Sequence, residues 1–293
     1  MSKTRDYLEL HFLVLLWGFT AILGVLITIP PVELVFYRTF LSALFLVVII
    51  KVRGTGFNLG YQAMGYLLLA GVLVASHWIT FFWSARVANV SVSLAGFATV
   101  ALWTSILEPI LLKEKFYWYE LVLGLMVILG LYIIFRFEFA YAWGLTLAVI
   151  SAFLVAVFTV LNRKWTFRYD HYVITFYEMV GASLSIALFF PWYSQWQPQG
   201  IRLLPASLDW AYLVILSLVC TVYAYSVSVE LMKRISAFAV NLTVNLEPVY
   251  GIILAVIIFG EKERMTTGFY WGTGVILLAV LLHPVMSRLS SFR

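Results

Sequence analysis

Charged side chains are scarce in this sequence. They make up 11% of its 293 residues, whereas hydrophobic residues make up 63%. Soluble domains carry roughly 25% charged residues, because polar groups must cover a surface that faces water. This shortage excludes a water-soluble globule, and the high apolar content excludes a disordered chain or a collagen-like rod. The composition predicts a protein whose main partner is the lipid bilayer.

Cysteine and histidine are also too few for several common chemistries. Cys220 is the single cysteine, which excludes an intramolecular disulfide and a thiolate metal cage. The four histidines lack the i, i+4 spacing of a helical zinc site. The sequence also lacks a P-loop, a Gly-x-Ser-x-Gly motif and a Rossmann glycine motif. We therefore predict no metal, no cofactor, no ATP hydrolysis and no enzyme activity.

Long hydrophobic runs dominate the chain instead. A helix needs about 20 apolar residues to cross roughly 30 Å of hydrocarbon. Ten runs satisfy this length, at residues 8–28, 33–51, 62–84, 90–112, 117–136, 141–162, 172–192, 209–231, 236–259 and 268–286. The runs are continuously apolar and do not alternate with period two, which argues against a β-barrel. The sequence predicts an all-α integral membrane protein with ten transmembrane helices.

Lysine and arginine are unevenly distributed between the predicted loops. With the N-terminus in the cytoplasm, 13 of the 19 basic residues fall in cytoplasmic segments and five in outer loops, while Arg38 lies inside a helix. Cytoplasmic loops of membrane proteins carry this excess. We expect both termini in the cytoplasm and a location in the bacterial inner (plasma) membrane. The same topology accounts for the net charge of +5 without a nucleic-acid partner.

The two halves of the sequence resemble each other. Phe36-Tyr37-Arg38 matches Phe176-Tyr177-Glu178, 140 positions later, and Lys113-Glu114-Lys115 matches Gly260-Glu261-Lys262, 147 positions later. These matches divide the chain into two five-helix repeats, at 1–139 and 140–293. Because five is odd, the second repeat enters the membrane in the opposite sense. Such inverted repeats suit alternating access, in which a site opens to each side in turn.

In its two five-helix repeats and several short motifs, the sequence resembles the EamA-type members of the drug/metabolite transporter superfamily. The resemblance rests on Trp17-Gly18, Arg38, the stretch Asn245-Leu246-Glu247-Pro248 and the turn Gly260-Glu261-Lys262. The first half departs from the pattern, since Ala101 stands where the second half has Pro248. The resemblance implies a small-molecule carrier, often an exporter of amino acids or related metabolites, with a central cavity between the halves.

Two ionisable residues interrupt the hydrophobic runs at matching distances from opposite faces of the membrane, Arg38 in the second run and Glu178 in the seventh. Charged groups inside a membrane usually face the bundle interior or a water-filled cavity. Arg38 is a candidate to bind a substrate carboxylate or phosphate, and Glu178 to meet a substrate amine or carry a proton. The alternative is that both brace neighbouring helices through carbonyl, tyrosine or asparagine groups.

The ninth run carries the densest polar cluster. Asn241, Asn245 and Pro248 follow i, i+4, i+7 spacing and should share one helix face. Pro248 cannot donate its amide, so we expect a helix break there, and broken helices line the binding sites of transporters. Glu247 at this depth is a candidate to bind a cation or take up a proton. The alternative is a hydrogen-bonded clamp between helices.

The remaining candidates are weaker. His77 and Trp78 could supply a titratable group and a stacking surface to the cavity. Further aromatic residues are candidates to line the same amphipathic cavity, namely Trp17, Trp83, Trp103, Tyr223 and Tyr225. Glu114 and Glu261 are expected to be structural, because carboxylates at helix starts meet the positive end of the helix dipole.

Together these features predict a secondary transporter of a small polar or amphipathic metabolite. An amino-acid-like zwitterion fits best, because the helices hold both a cation and buried carboxylates, and export with proton coupling is the working hypothesis. A nucleotide-sugar or lipid-linked metabolite carrier of the same fold is the alternative, and a membrane-embedded enzyme is the weakest option. The oligomeric state is left open, with a homodimer as one option.

Overall fold

The computed structural model describes residues 4–113, 115, 117–137, 139–197 and 200–290. Within these residues the secondary structure is helical, and ten helices are long or apolar enough to account for the predicted spans. They are α1 Thr4–Leu26, α2 Pro31–Val52, α3 Tyr61–Val87, α4 Val90–Leu112, α5 Trp118–Phe137, α6 Phe139–Thr166, α7 His171–Trp196, α8 Ser207–Leu231, α9 Ala237–Glu263 and α10 Thr267–Ser290.

The helices have the length and hydropathy of membrane spans. In the described part of the chain, eight of them reach at least 18 residues with a mean hydropathy between 1.6 and 2.5. Shorter apolar stretches, Trp118–Ile134 and Thr267–Ala279, lie in α5 and α10. Each predicted run corresponds to one helix, so the prediction of an all-α membrane protein with ten spans is confirmed.

Polar contacts near the helix ends show how the two groups of helices are oriented. At the face where α1 begins, called here the N-terminal face, Arg234 donates to Asp6 over 3.0 Å. At the opposite face, the Thr28 hydroxyl donates to Asp209 at the start of α8 over 2.7 Å, so α1 and α8 are antiparallel. At that same face Arg86 of α3 donates to the carbonyl oxygen of Ile27, and Ser84 donates to that of Gly144 near the start of α6. Helix α6 therefore begins at the face opposite to α1, and the second group of five helices is inverted relative to the first.

Close approaches between glycine backbones hold the bundle together. A Cβ at Gly71 of α3 would lie 2.2 Å from the carbonyl oxygen of Glu178, and one at Gly181 would lie 2.2 Å from that of Leu68. The same holds for Gly130 of α5 and Gly272 of α10, each facing the other's carbonyl oxygen. Small residues allow such packing in membranes, where dispersion and helix fit replace the hydrophobic effect.

Helices α4 and α9 are both interrupted near their middle. In α4 the helix stops after Phe97 and resumes at Val100, and in α9 it stops after Val244 and resumes at Glu247. The two interruptions are related by the same 147-position offset as the repeats. Since Ala101 occupies the position equivalent to Pro248, the first interruption forms without a proline.

Candidate functional site

A central cavity lies between the two groups of helices. It contains about 680 Å³ of space free of protein atoms and is lined by side chains from α1, α2, α3, α4, α6, α8 and α9. Seven residues proposed from the sequence are among those lining it: Trp17, Arg38, His77, Trp78, Tyr225, Asn241 and Glu247. The cavity therefore collects polar and aromatic groups that are distant in the sequence.

The cavity approaches the N-terminal face of the bundle. Its lining includes Asn162, Ser228 and Val240, each about one turn from a helix end at that face. On the opposite face the nearest lining residues, Thr20 and Phe81, lie about six residues, or about 9 Å, inside their helix ends. The protein layer that closes the cavity is thus thicker at the opposite face.

Arg38 is held in a fixed position at the cavity wall. Its Nε donates to Thr221 Oγ1 of α8 over 2.9 Å, and its guanidinium carbon lies 3.7 Å from the centre of the Trp78 ring. A planar guanidinium stacks well on an aromatic face. Among the residues that the structure describes, no carboxylate lies within 4.0 Å of the Arg38 nitrogens. The two terminal nitrogens of the guanidinium are therefore left for a ligand.

A wide turn in α8 shapes the support for Arg38. Residues Ile215–Tyr223 form a π-helix, in which Thr221 Oγ1 donates to the carbonyl oxygen of Leu216 over 2.9 Å. Ser217 and Ser42 both donate to the carbonyl oxygen of Arg38, at 3.1 and 2.7 Å. π-helical segments occur frequently at functional sites. Here the segment presents two hydroxyl groups to one residue of the neighbouring helix.

Glu247 is the acidic residue of the cavity wall. It is the first residue of the second segment of α9, only 3% of its surface is exposed, and it lies close enough to Arg38 for their charges to interact. Across the described chain, no donor lies within hydrogen-bond distance of its carboxylate. Burying a charge without a partner is costly. The cavity thus contains a cation whose terminal nitrogens, and an anion whose carboxylate oxygens, have no hydrogen-bond partner in the described chain.

His77 contributes a neutral polar group and a flat surface. Its Nδ1 lies 2.7 Å from Ser151 Oγ and 3.1 Å from the Ser151 carbonyl oxygen, while the Ser151 hydroxyl donates to the His77 carbonyl oxygen. A carbonyl oxygen only accepts, so Nδ1 carries the hydrogen and Nε2 is the acceptor in the neutral ring. The ring stacks on Phe97 with centroids 5.5 Å apart.

The rest of the wall is largely apolar. Phe81, Phe97 and Phe158 surround His77, and Val155 and Met232 complete this part of the lining. Pockets of this kind bind ligands through apolar contact, and a few polar groups orient the ligand. The arrangement suits a molecule with a charged end and an apolar body.

Glu178 lies behind the wall and reaches the cavity through other residues. It is fully buried, and its Oε2 accepts a hydrogen bond from Tyr225 Oη over 3.0 Å. Tyr225 in turn accepts from Asn162 Nδ2 over 3.0 Å. Tyr225 and Asn162 line the cavity, whereas Glu178 does not. Asn162 was not identified from the sequence, because an uncharged amide near a helix end gave no distinct signal.

Other residues proposed for the site lie elsewhere. Trp103 packs edge-to-face on Phe153, outside the cavity lining. Tyr223 is 38% exposed and packs on Phe12, and Trp83 is 43% exposed. On a helix that is apolar all round, periodicity gave no reason to prefer the inward face for these rings.

Asn245 also differs from the expectation. It lines a second cavity of about 230 Å³, together with Glu120 and Ala279, and not the central one. The cavity-facing residues of α9 are instead Val240, Asn241, Val244 and Glu247. This face is centred near Val244, and Asn245 is about 100° farther around the helix.

A pair of carboxylates missed by sequence reasoning links the repeats at the two faces. At the N-terminal face Glu108 of α4 accepts from the backbone N–H groups of Ala237 and Phe238 at the start of α9, and pairs with Arg163. At the opposite face Glu263 of α9 accepts from the N–H groups of Val90 and Ser91 at the start of α4, over 3.0 and 2.9 Å. Each carboxylate satisfies the free N–H groups of the other repeat's fourth helix.

Of the two acidic residues expected at helix starts, the one that the structure describes is not part of this arrangement. Glu261 is exposed and pairs with Arg264 over 2.9 Å, ahead of the first residue of α10. Glu114 lies outside the described residues. The sequence pattern correctly located the turn before α10. It did not identify Glu263 as the carboxylate in this turn that binds the start of α4.

Comparisons with known proteins agree with this architecture. The sequence matches the model of the EamA-like transporter family twice, over residues 8–136 and 142–283. Two proteins of Archaeoglobus fulgidus, both described as uncharacterized transporters, are similar over 95% of this chain. They are 23% and 27% identical to it, and the matches cover 98% and 96% of their own lengths. A crystal structure of a protein with 16% identity superposes with a TM-score of 0.72 over 98% of this chain and 99% of that one, which shows the same fold.

Proposed function

The chain belongs to the EamA-like transporter family, and from this we propose that it is a secondary transporter of a zwitterionic, amino-acid-like metabolite. The observation that carries the proposal is the presence of Arg38 and Glu247 in one cavity, neither of them with an oppositely charged group within 4.0 Å in the described chain. Arg38 would bind the carboxylate of the substrate, and Glu247 its ammonium group. Each group then neutralises a buried charge, which makes binding favourable.

The apolar wall supports a substrate with an amphipathic character. With its charged end between Arg38 and Glu247, the body of the molecule would lie against Trp78, Phe97 and Phe158. The single cation argues against a nucleotide sugar or a lipid-linked diphosphate, whose phosphates need several positive groups. Among the described residues that line the cavity, Arg38 is the only lysine or arginine.

Alternating access follows from the inverted repeats. Two similar groups of helices around one cavity can adopt two related arrangements, each open to one face. The contacts of Glu108 and Glu263 are candidates for the closures at the two faces, because each joins the repeats next to the cavity entrance.

Export is supported by the position of the cavity. The distribution of lysine and arginine supports a cytoplasmic N-terminal face, and we propose a location in the plasma membrane with both termini inside. Because the cavity approaches that face, substrate would enter it from the cytoplasm. Movement would draw on an ion or substrate gradient.

A counterflow assay tests the proposal. The purified protein is reconstituted in vesicles loaded with one unlabelled amino acid at a time, and uptake of radiolabelled L-leucine is measured at equal pH on both sides. We expect exchange with amphipathic zwitterions, abolished in Arg38→Gln and unchanged in Arg234→Gln, an arginine outside the cavity. Exchange with nucleotide sugars in place of amino acids would contradict the proposal.

A further inference from the structure

The two carboxylates near the cavity have different surroundings. Glu247 faces the cavity directly, beside the charge of Arg38. Glu178 lies in α7 behind the wall, with no exposed surface. Two buried acidic groups in unlike environments are suited to different tasks. Glu247 is therefore placed to contact the substrate, whereas Glu178 is not.

Hydrogen bonds at Glu178 are incomplete. Oε2 accepts from Tyr225, while Oε1 is buried and has no partner among the residues described. The titratable or charged side chains on the helices packed around α7 are His77 on α3, Arg163 on α6, Tyr225 and Glu230 on α8, and Tyr37 and Arg38 on α2. The last two lie nearer the opposite face, because the adjacent Thr39 contacts Ser183 of α7 and not the Glu178 level. Of all these side chains, Tyr225 alone is within hydrogen-bond or ion-pair distance of the carboxylate in the described chain.

An unpaired carboxylate at this depth is costly as an anion, and a proton removes the cost. Asn162 Oδ1, whose side chain also faces the Glu178 carboxyl group, is a second buried acceptor without a partner in the described residues. A proton on the carboxyl group would turn one of its oxygens into a donor. Protonation of Glu178 would thus supply a donor to a pocket that holds two acceptors without partners in the described residues.

We propose that Glu178 is the proton-binding site that couples transport to a proton gradient, and that Tyr225 and Asn162 connect it to the cavity. The proposal rests on the proposed function and adds its energy source. A hydronium ion in the cavity gives a proton to the phenolic oxygen of Tyr225 as the phenol's own proton passes to Glu178 Oε2, and a water molecule is left. One O–H bond forms and one breaks at Tyr225, which is unchanged, and Glu178 becomes neutral.

The proton and the substrate would then use the same entrance. Tyr225 packs edge-to-face on Trp78 with centroids 6.1 Å apart, and Trp78 supports the Arg38 guanidinium. A substrate carboxylate at Arg38 thus lies beside the residue that leads to Glu178. When the cavity changes the face to which it opens, both sites change access together, so proton release at one face accompanies substrate movement.

Vesicle assays with two driving forces separate the roles of the carboxylates. Uptake of radiolabelled L-leucine, or of the amino acid that exchanges best in its place, is measured by counterflow at equal pH and by accumulation driven by a pH gradient. We expect Glu178→Gln to keep counterflow and lose gradient-driven accumulation, and Tyr225→Phe to lose gradient-driven accumulation as well. Glu247→Gln should lose both, and the exposed Glu261→Gln should lose neither.

The outcomes distinguish the two proposals. If the unmodified protein shows no counterflow with any amino acid, the proposed function is wrong. If counterflow is present and Glu178→Gln still accumulates substrate with the pH gradient, the coupling role of Glu178 is wrong.

A binding measurement covers the case in which Glu178→Gln loses both activities. Substrate affinity is measured in detergent from mildly acidic to mildly alkaline pH, which needs no transport. We expect the affinity of the unmodified protein to change with pH and that of Glu178→Gln to stay constant. The same pH dependence in both proteins would overturn the proposal.

Discussion

Arg38 illustrates how a charged residue is kept inside the membrane. The hydroxyl of Thr221 accepts from Nε and at the same time donates to the carbonyl oxygen of Leu216, which fixes its orientation. The Trp78 ring lies against the flat side of the guanidinium. These contacts leave the terminal nitrogens directed to the ligand and hold them in place before binding, which reduces the entropy lost on association.

Replacing Thr221 by valine keeps the size of the side chain but removes the acceptor for Arg38. A hydrogen bond to a charged group contributes about 1.5–3 kcal/mol, so we expect substrate affinity to fall about tenfold to a hundredfold. Isothermal titration with the transported amino acid measures this change. Thr221→Ser retains the hydroxyl and should bind like the unmodified protein. Equal affinities for the valine and serine variants would contradict this role of Thr221.

The chemistry of each residue decided whether it could be found from the sequence. Arg38 and Glu247 stand out in an apolar helix, because a charge at that depth is rarely retained without a use. Thr221 and Ser151, which hold Arg38 and His77, gave no comparable signal. Hydroxyl groups can bond to their own helix backbone, as Thr221 does, and so are common in membrane helices.

At the scale of helices, the interrupted pair α4 and α9 organises the protein. Their interruptions border the cavity, since Phe97, Val244 and Glu247 at the breaks all line it. Their first N–H groups are bound by carboxylates from each other, Glu263 at the start of α4 and Glu108 at the start of α9. The closures at the two faces are therefore made by the same two helices.

Glu263→Gln should loosen the closure at the face opposite to the N-terminus. The amide oxygen of glutamine is a weaker acceptor for the N–H groups of Val90 and Ser91, at a cost of about 1–3 kcal/mol. A cysteine introduced at Thr20, in a chain whose only native cysteine is buried, reports access to the cavity. We expect faster labelling from that face by a membrane-impermeant thiol reagent.

Glu261→Gln is the matched control for this variant. Glu261 lies in the same turn but is exposed and pairs only within it, with Arg264. Labelling at the unmodified rate is expected for this control. If the Glu263 and Glu261 variants are labelled equally fast, the carboxylate of Glu263 does not close that face.

The helix breaks mark a limit of sequence reasoning. Pro248 pointed to the break in α9, but α4 is broken at the equivalent place with Ala101 in that position. The Thr99 hydroxyl donates to the carbonyl oxygen of Gly96 there, and a Cβ at Gly96 would lie 2.7 Å from Ala148. The break in α4 therefore depends on packing against α6, which a single sequence does not reveal.

For the molecule as a whole, the number of helices and their inversion were predictable. Hydrophobic length determines the count, and an odd number of helices per repeat forces the inversion. The contacts between repeats were not predictable. Glu108 and Glu263 both bind the N–H groups at the start of the other repeat's fourth helix, but they occupy positions that the sequence repeat does not align. Which residues face the cavity likewise depends on helix rotation, as Asn245 and Tyr223 demonstrate.

Binding by charge-matched analogues tests the central claim most directly. The transported amino acid is compared with its decarboxylated amine and its deaminated acid, using the purified protein and the variants Arg38→Gln and Glu247→Gln. We predict that the unmodified protein prefers the zwitterion, that Arg38→Gln prefers the amine and that Glu247→Gln prefers the acid. An unchanged ranking of the three molecules in both variants would contradict the assignment of Arg38 and Glu247 to the two charged groups of the substrate.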